Sequence, residues 1–556
     1  MPGVGAASAF SEVLDPAPGG PTDPPVTVDS DAEPSTPMLY GEASRVEMRL
    51  ADLLAGLSRL ADLGFGIPAG EALRSAALAG LLGRSLGVPD EDLHAAIYTA
   101  LLHHVGCNGY AHEAGRAVGD ELTMYAVTAQ TNLADPKEML TIFLPGLLAG
   151  RPLSERVRLA AVTLTRGKRI GLESTTAACE VGRDAARRLR LPGEVQLSLY
   201  RSYEWWNGRG VPDGLEHDGI PLGARLAAVT STASLLDTTA GRSRVTEVIA
   251  GGSGSVFDPG IADHLVAHRD ELLDRLGACD PHGLVLEVEP QPVAYVLDAR
   301  LVEVATVFGD LADLKTPHLH GHSRGVARLA RDAGARCGLD GGDLEDLEVA
   351  ALLHDVGRVA ISSAVWDKPG ELTRHEWEQV RLHGYHSERI LAGSERLAHL
   401  AALVGMHHER CDGSGYHRGC TRGELPLEAR LLAAADAYQA MTQPRPHRSA
   451  LDPEQAEEQL REGVRAGLVD EEAASAVLVA AGHHTEVRRE APAGLTGREV
   501  EVLALLAVGC SNREIAEKLV ISRRTAEHHV QHIYSKIGAS SRAAAALFAM
   551  EHDLLT

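Results

Sequence analysis

Residues 351–357 read Ala-Leu-Leu-His-Asp-Val-Gly, and residues 100–106 read Ala-Leu-Leu-His-His-Val-Gly. Each is an apolar run that carries two ionisable side chains toward a core face. The echo extends further. Residues 203–231 align with 408–436 at a constant shift of 205, with ten of 29 positions identical. The identities include Glu204/Glu409, Gly208/Gly413, Gly210/Gly415, Gly214/Gly419, Pro221/Pro426 and Arg225/Arg430. A gap-free match with three spaced glycines reads as an internal duplication. The expected fold class is all-α: two tandem helical blocks and a small third helical domain.

At 556 residues the chain is too long for one ordinary domain. Aromatics are only 4%, and Ala, Leu and Gly dominate, which favours helices packed on small residues. A net charge of −24 argues against non-specific coating of nucleic acid or anionic lipid, so any DNA contact must be local. The seven cysteines are scattered and form no CxxC pair, which argues against a disulfide framework or a structural zinc. No apolar run approaches the roughly 20 residues of a membrane span. No basic residue precedes Arg45, unlike a signal peptide. The expectation is a reduced, cytoplasmic, multidomain protein with no membrane contact.

Residues 1–44 are rich in Pro and Gly with an acidic balance, and read as disordered. A first helical block is placed at 45–283, a linker at 284–299 and a second block at 300–484. A linker at 485–493 leads into a C-terminal domain at 494–556.

In the second block, acids and imidazoles stand where core residues belong. His322 shares a helical face with Val326, Leu329, Ala330 and Ala333. His354 and Asp355 follow Leu347 and Ala351. His383 is placed at the opening of a helix that ends in Ile390-Leu391. His407 and His408 follow Leu400, Leu403 and Val404. Asp436 shares its face with Ala429, Leu432, Ala433 and Ala440. One core histidine is ordinarily just hydrogen-bonded. Five imidazoles and two carboxylates on five apolar faces call for another account. A buried carboxylate is costly unless a cation neutralises it, and this donor set suits a pair of divalent transition metal ions such as Fe, Mn or Zn.

The order His, His-Asp, His, His-His, Asp resembles the HD superfamily of metal-dependent phosphohydrolases, and His383, His407 and His408 resemble its HD-GYP branch. Asp367-Lys368-Pro369-Gly370-Glu371-Leu372-Thr373, Asp412-Gly413-Ser414-Gly415-Tyr416 and Arg445-Pro446-His447-Arg448 extend the resemblance. It implies that His322, His354, Asp355, His383, His407, His408 and Asp436 are metal ligands, with Asp355 bridging. It implies that water activated at the ions attacks phosphorus. Asp355 and Arg358 are then the catalytic candidates. The resemblance also implies that Asp412, Gly413, Gly415 and Tyr416 form a loop over a nucleotide substrate, typically cyclic di-GMP in that branch. There are departures. His417 replaces the Pro of the GYP triplet, and Gln439 replaces an Asp common in the branch. His318 stands where some members carry a Glu for a third metal. Arg358 replaces a Lys, keeping the charge with a different donor geometry. None removes a core ligand; they bear on substrate and turnover.

In the first block Ser231 stands for Asp436, Ser202 and Tyr203 for His407 and His408, Asn207 for Asp412, and His104 for Asp355. The block resembles an HD-type fold that has lost its metal set. A sensory or dimerising role and a purely architectural one both stay open. Trp205-Trp206 either stack on a ligand or fill the core.

From Leu495 the pattern gives four short helices. Val500, Leu503, Ala504 and Ala507 form the first stripe, and Gly509 stops it. Ser511-Asn512-Arg513-Glu514 is a capping box. Ser522 caps a third helix whose buried stripe is Ala526, Val530, Ile533 and Ile537. That leaves Arg523, Arg524, Glu527, His528 and Gln531 facing outward, the geometry of a recognition helix. Ser522, Thr525 and Lys536 are assigned to phosphates. Lys plus Arg and Asp plus Glu number seven each from residue 494 onward, so the domain is locally neutral. Leu495-Thr496-Gly497-Arg498-Glu499, Ile521-Ser522 and Ser541-Arg542-Ala543 resemble the DNA-binding domain of LuxR-type regulators. In that family the fourth helix, here around Ala544, Leu547 and Phe548, supplies a dimer contact.

The expected function is a homodimeric, double-stranded-DNA-binding transcription regulator carrying a dinuclear-metal phosphodiesterase that acts on or senses a cyclic dinucleotide. The alternative is a ligand-responsive transcription factor that holds metal and nucleotide without turnover.

Overall fold

The computed structural model describes residues 47–132, 135–482, 492–552 and 554–555. The tail placed at 1–44 and most of the linker placed at 485–493 lie outside the described residues. The architecture is all-α, apart from one antiparallel ribbon in which Glu47–Arg49 pairs with Tyr295–Leu297.

The duplication is visible in the helices. Leu50–Gly64, Glu71–Leu86 and Asp90–Leu102 of the first block begin 251 residues before Leu301–Asp313, His322–Arg336 and Gly341–Leu353 of the second. Gly193–Tyr200 and Leu222–Thr239 begin 205 residues before Ala398–Gly405 and Leu427–Thr442. The shift changes because the first block has a longer insert, which includes the N-terminal part of the helix Leu153–Arg188.

Fine details repeat too. Asp62 accepts from Ala72 N at 3.0 Å, and Asp313 from Ser323 N at 2.9 Å, so each carboxylate ties down the next helix. Glu204 accepts from the backbone N–H of Asp213, Gly214 and Leu215; Glu409 accepts from those of His417, Arg418 and Cys420. A Cβ on Gly210 or Gly415 would lie 2.5 Å from the Cα of that glutamate, so only glycine closes either loop.

The segment 284–299 is not a linker. Pro281–Val288 is helical, and Leu284, Val285 and Val288 are buried. Its apolar residues have a core to join, so the chain packs instead of spanning a gap.

The blocks share one continuous apolar core. A buried ion pair also joins them. Glu121 Oε1 of the first block lies 2.8 Å from Lys315 Nζ of the second, both side chains fully buried. Burial pushes the Glu121 carboxyl up, but Lys315 and the Ser362 and Ser363 donors outweigh it and hold it low. Lys315 also donates to Val359 O at 3.0 Å, and Ser363 N to Glu121 at 2.7 Å.

Candidate metal centre and nucleic-acid interface

Five elements converge on one point of the second block. His322 is the first residue of its helix. His354 and Asp355 lie just past the end of Gly341–Leu353, and His407 and His408 just past Ala398–Gly405. Asp436 is mid-helix in Leu427–Thr442. His383 does not open a helix; it sits in the middle of Arg374–Leu391, which starts at a Thr373/Glu376 capping box. That box satisfies the free N–H groups, so the helix begins there and not at His383.

All seven expected ligands come together, in two sets of four that share Asp355. One set is His322, His354, Asp355 and Asp436; the other is Asp355, His383, His407 and His408. Within each set the donor atoms lie within 4.8 Å of one another. His354 Nε2 stands 3.0 Å from Asp355 Oδ2, and His383 Nε2 stands 3.3 Å from Asp355 Oδ1, so the two carboxylate oxygens face different sets.

The rings are held from behind. His354 Nδ1 donates to Ala351 O at 2.7 Å, His383 Nδ1 to Val380 O at 2.5 Å and His407 Nδ1 to Val404 O at 2.6 Å. A carbonyl can only accept, so each Nδ1 carries the proton and each Nε2 is aimed inward. His322 Nδ1 faces Gln443 Oε1 at 2.9 Å. Sequence reading gave Gln443 no role, because no motif marks a partner 121 residues away.

The donor set fits metal. Asp355 Oδ1 and Oδ2 and His354 Nε2 are buried without hydrogen-bond partners. Burial pushes the Asp355 carboxyl up, but Arg358, His354 and His322 outweigh it and hold it well below its usual range. Burial opposes charge on His354, yet Asp355 and Asp436 raise it to about 10. Burial takes His383 down to about 4. Buried charge without hydrogen bonds is what a cation relieves.

Arg358 Nε lies 2.7 Å from Asp355 Oδ2, a buried ion pair inside the site. Its guanidinium stands 4.9 Å over the Trp366 ring. Arg445, which the sequence placed only within a motif, lines the same cleft, a hollow of about 140 Å³. Burial and the nearby Arg358 and Arg448 pull Arg445 down to about 9.

The loop after His408 is split in role. Tyr416 packs on His408 with ring centroids 4.4 Å apart and lines the cleft. Asp412 does not reach the centre; it accepts from Ser414 N at 2.9 Å, with Gly413 at φ +81° completing the turn. Gly415 serves loop closure.

The C-terminal domain is the expected four helices: Gly497–Ala507, Asn512–Leu519, Arg523–Ile537 and Arg542–Glu551. The Ser511/Glu514 capping box and the Ser522 cap both form. The first helix buries Val502, Leu503, Leu506 and Ala507; Val500 and Ala504 are only half-buried. Arg523, Arg524, Thr525, His528 and Gln531 are exposed, and Glu527 is half-buried and paired with Arg523 at 2.8 Å. Lys536 does not stand free for phosphate. It lies 2.6 Å from Glu499 Oε2 and donates to Gly494 O, because the Thr496/Glu499 box brings that carboxylate beneath it.

The fourth helix meets the first block. Arg187 of the long first-block helix pairs with Glu551 at 2.9 Å, and Ser540 N donates to Glu180 at 3.0 Å. The face expected to dimerise is only partly covered: Leu547 is buried, while Ala544 and Phe548 are half-buried.

Residues 306–472 match the HD domain family, and residues 493–549 match the bacterial regulatory proteins of the luxR family. Residues 306–472 are thus an HD domain and residues 493–549 a luxR-family domain. The chain is 29% identical over 408 residues to 3'3'-cGAMP-specific phosphodiesterase 3 of Vibrio cholerae, covering 72% of this chain and 88% of that one. A cyclic di-GMP phosphodiesterase of Thermotoga maritima is 34% identical over 164 residues, 29% of this chain and 44% of that one. The cyclic di-GMP phosphodiesterase response regulator RpfG of Xanthomonas campestris is 38% identical over 135 residues, 23% and 36%. A crystal structure of a cyclic GMP-AMP-specific phosphodiesterase of Vibrio cholerae superposes with a TM-score of 0.55 at 25% identity, covering 79% of this chain and 99% of that one. Among the described residues no helix is long and apolar enough to cross a membrane.

Proposed function

We propose that the protein is a DNA-binding transcription regulator whose second block, 300–484, hydrolyses a phosphodiester in a cyclic dinucleotide. The observation that carries this is the pair of ligand sets joined through the two oxygens of Asp355. Two divalent transition ions, Fe, Mn or Zn, one in each set, would supply Lewis acidity and lower the pKa of a water.

The chain's own residues do the rest. Carbonyls behind His354, His383 and His407 fix the rings before substrate arrives, so no reorganisation is needed on binding. Arg358 and Arg445 bring positive charge to the wall where a phosphate would lie. Tyr416, over His408, offers a flat face to a base. The relatives named for cyclic GMP-AMP and cyclic di-GMP support the substrate class. The 494–556 domain would read DNA through Arg523, Arg524, His528 and Gln531, with Ser522 and Thr525 toward phosphate, as a homodimer once its fourth helix leaves the first block.

The test is metal analysis of the full chain followed by hydrolysis of cyclic GMP-AMP and cyclic di-GMP. Two ions per chain with turnover, both lost in Asp355→Ala, is the expected result. Two ions with intact dinucleotides would replace hydrolysis by ligand sensing. A folded chain that never holds metal would overturn both.

A further inference from the structure

The first block has a cleft where the second has its metal centre. Its walls include His103, His104, Ser202, Tyr203 and Ser231, the counterparts of His354, Asp355, His407, His408 and Asp436. The remaining ligands are replaced as well. Glu71 stands at the position of His322 and is engaged by Ser234 and Thr238. Ala178 stands at that of His383; a Cβ on Gly106 would meet Ala178 O at 2.1 Å, as one on Gly357 would meet His383 O. The cleft survives the loss, with a cavity volume of about 180 Å³.

Its wall has lost the positive charge. Arg358, Lys368, Arg410, Arg430 and Arg445 line the second-block cleft. Among the described residues no Lys or Arg lines the first. Its one acid, Glu204, is engaged by three backbone N–H groups. Phosphate or carboxylate would find no cation there, and a divalent metal no free carboxylate.

What remains is aromatic and neutral-polar. Phe65 stacks on His104 at 4.0 Å and 8°, and Tyr203 lies 5.1 Å from His103. His103 is 8% exposed, and its Nδ1 has no hydrogen-bond partner; neither has Nδ1 of His104. The equivalent His354 Nδ1 is satisfied by Ala351 O. Unmet buried donors or acceptors are unfavourable, and a ligand's polar edge relieves them. Ser231 and Thr232 add hydroxyls along the wall.

We propose that this cleft binds an uncharged, planar heterocycle of nucleoside size, with its hydrogen-bonding edge toward His103 and His104 and its hydroxyls toward Ser231 and Thr232. The site is separate from the metal centre and takes an uncharged ligand where the metal centre takes an anionic one.

Equilibrium dialysis of the full chain against adenosine and guanosine, with AMP and GMP as charged controls, tests this. At least one nucleoside should bind saturably, one per chain, with Kd below about 1 mM. Its monophosphate should bind at least tenfold more weakly. Ser231→Leu, which fills the cleft, should weaken nucleoside binding at least tenfold; Thr232→Leu serves if Ser231→Leu melts early. Both variants should keep the metal content of the second block, so failure here is distinct from failure of the phosphodiesterase reading. No binding of either nucleoside, equal binding of the monophosphate, or binding untouched by both substitutions would overturn the proposal.

Discussion

The Nε2 atoms of His383 and His407 lie 3.0 Å apart while Nδ1 of each ring donates to a main-chain carbonyl. In neutral rings both facing nitrogens then carry lone pairs. Two lone pairs at that distance repel unless a cation or a shared proton lies between them. Burial keeps His383 down at about 4, so a proton is disfavoured and a metal ion is the natural occupant.

His383→Ala should therefore lose one of two ions and most of the turnover, and keep the ion of the His322 set. Metal analysis of the purified variant against wild type reads this directly. Loss of both ions would mean that the two sets are not independent.

Arg358→Ala should keep both ions yet slow hydrolysis by about 10- to 100-fold, because its charge belongs to the phosphate once Asp355 is occupied by metal. A Lys at this position should restore part of the rate. A variant that sheds metal instead would make Arg358 a structural partner of Asp355.

The first block should hold no transition metal. His103→Ala combined with His104→Ala should leave the metal-to-protein ratio of the full chain unchanged. A drop in that ratio would show that the degenerate set still ligates.

DNA binding should fall by about 1–3 kcal/mol for Arg524→Ala, with a flatter salt dependence. Arg523→Ala should cost less, since that side chain is shared with Glu527. Glu180→Ala with Arg187→Ala, which loosens the docked fourth helix, should tighten binding to a two-half-site duplex. Fluorescence anisotropy at several salt concentrations measures all three. Unchanged binding in both arginine variants would remove this helix from the interface.

Acid should destabilise the first block. Burial holds His103 at about 4 and His104 well below its ordinary value. Unfolded histidine titrates near about 6.5, so between about 4 and 6.5 the unfolded chain binds more protons. Stability is full above that window and is lost as pH falls through it. The first melting transition should drop between about pH 7.5 and about pH 5, and His103→Gln should shrink the drop.

The residue types that make this protein were legible in order along the chain. A carboxylate or imidazole on an apolar helical face is anomalous wherever the helix packs, so all seven residues of the candidate metal centre could be named before any geometry. The recognition helix announced itself through caps and a stripe that lie within a few residues of each other. Contacts between distant segments were not legible. Gln443 behind His322, Lys536 taken by Glu499, Glu121 buried on Lys315 and the fourth helix partly covered by Glu180 and Arg187 each join segments far apart in sequence. Local pattern records which side chains must be buried or capped, because those needs are met within a turn or two of helix. Which partner meets a buried polar atom is decided only when the helices pack, because packing alone determines which distant surfaces share the same space.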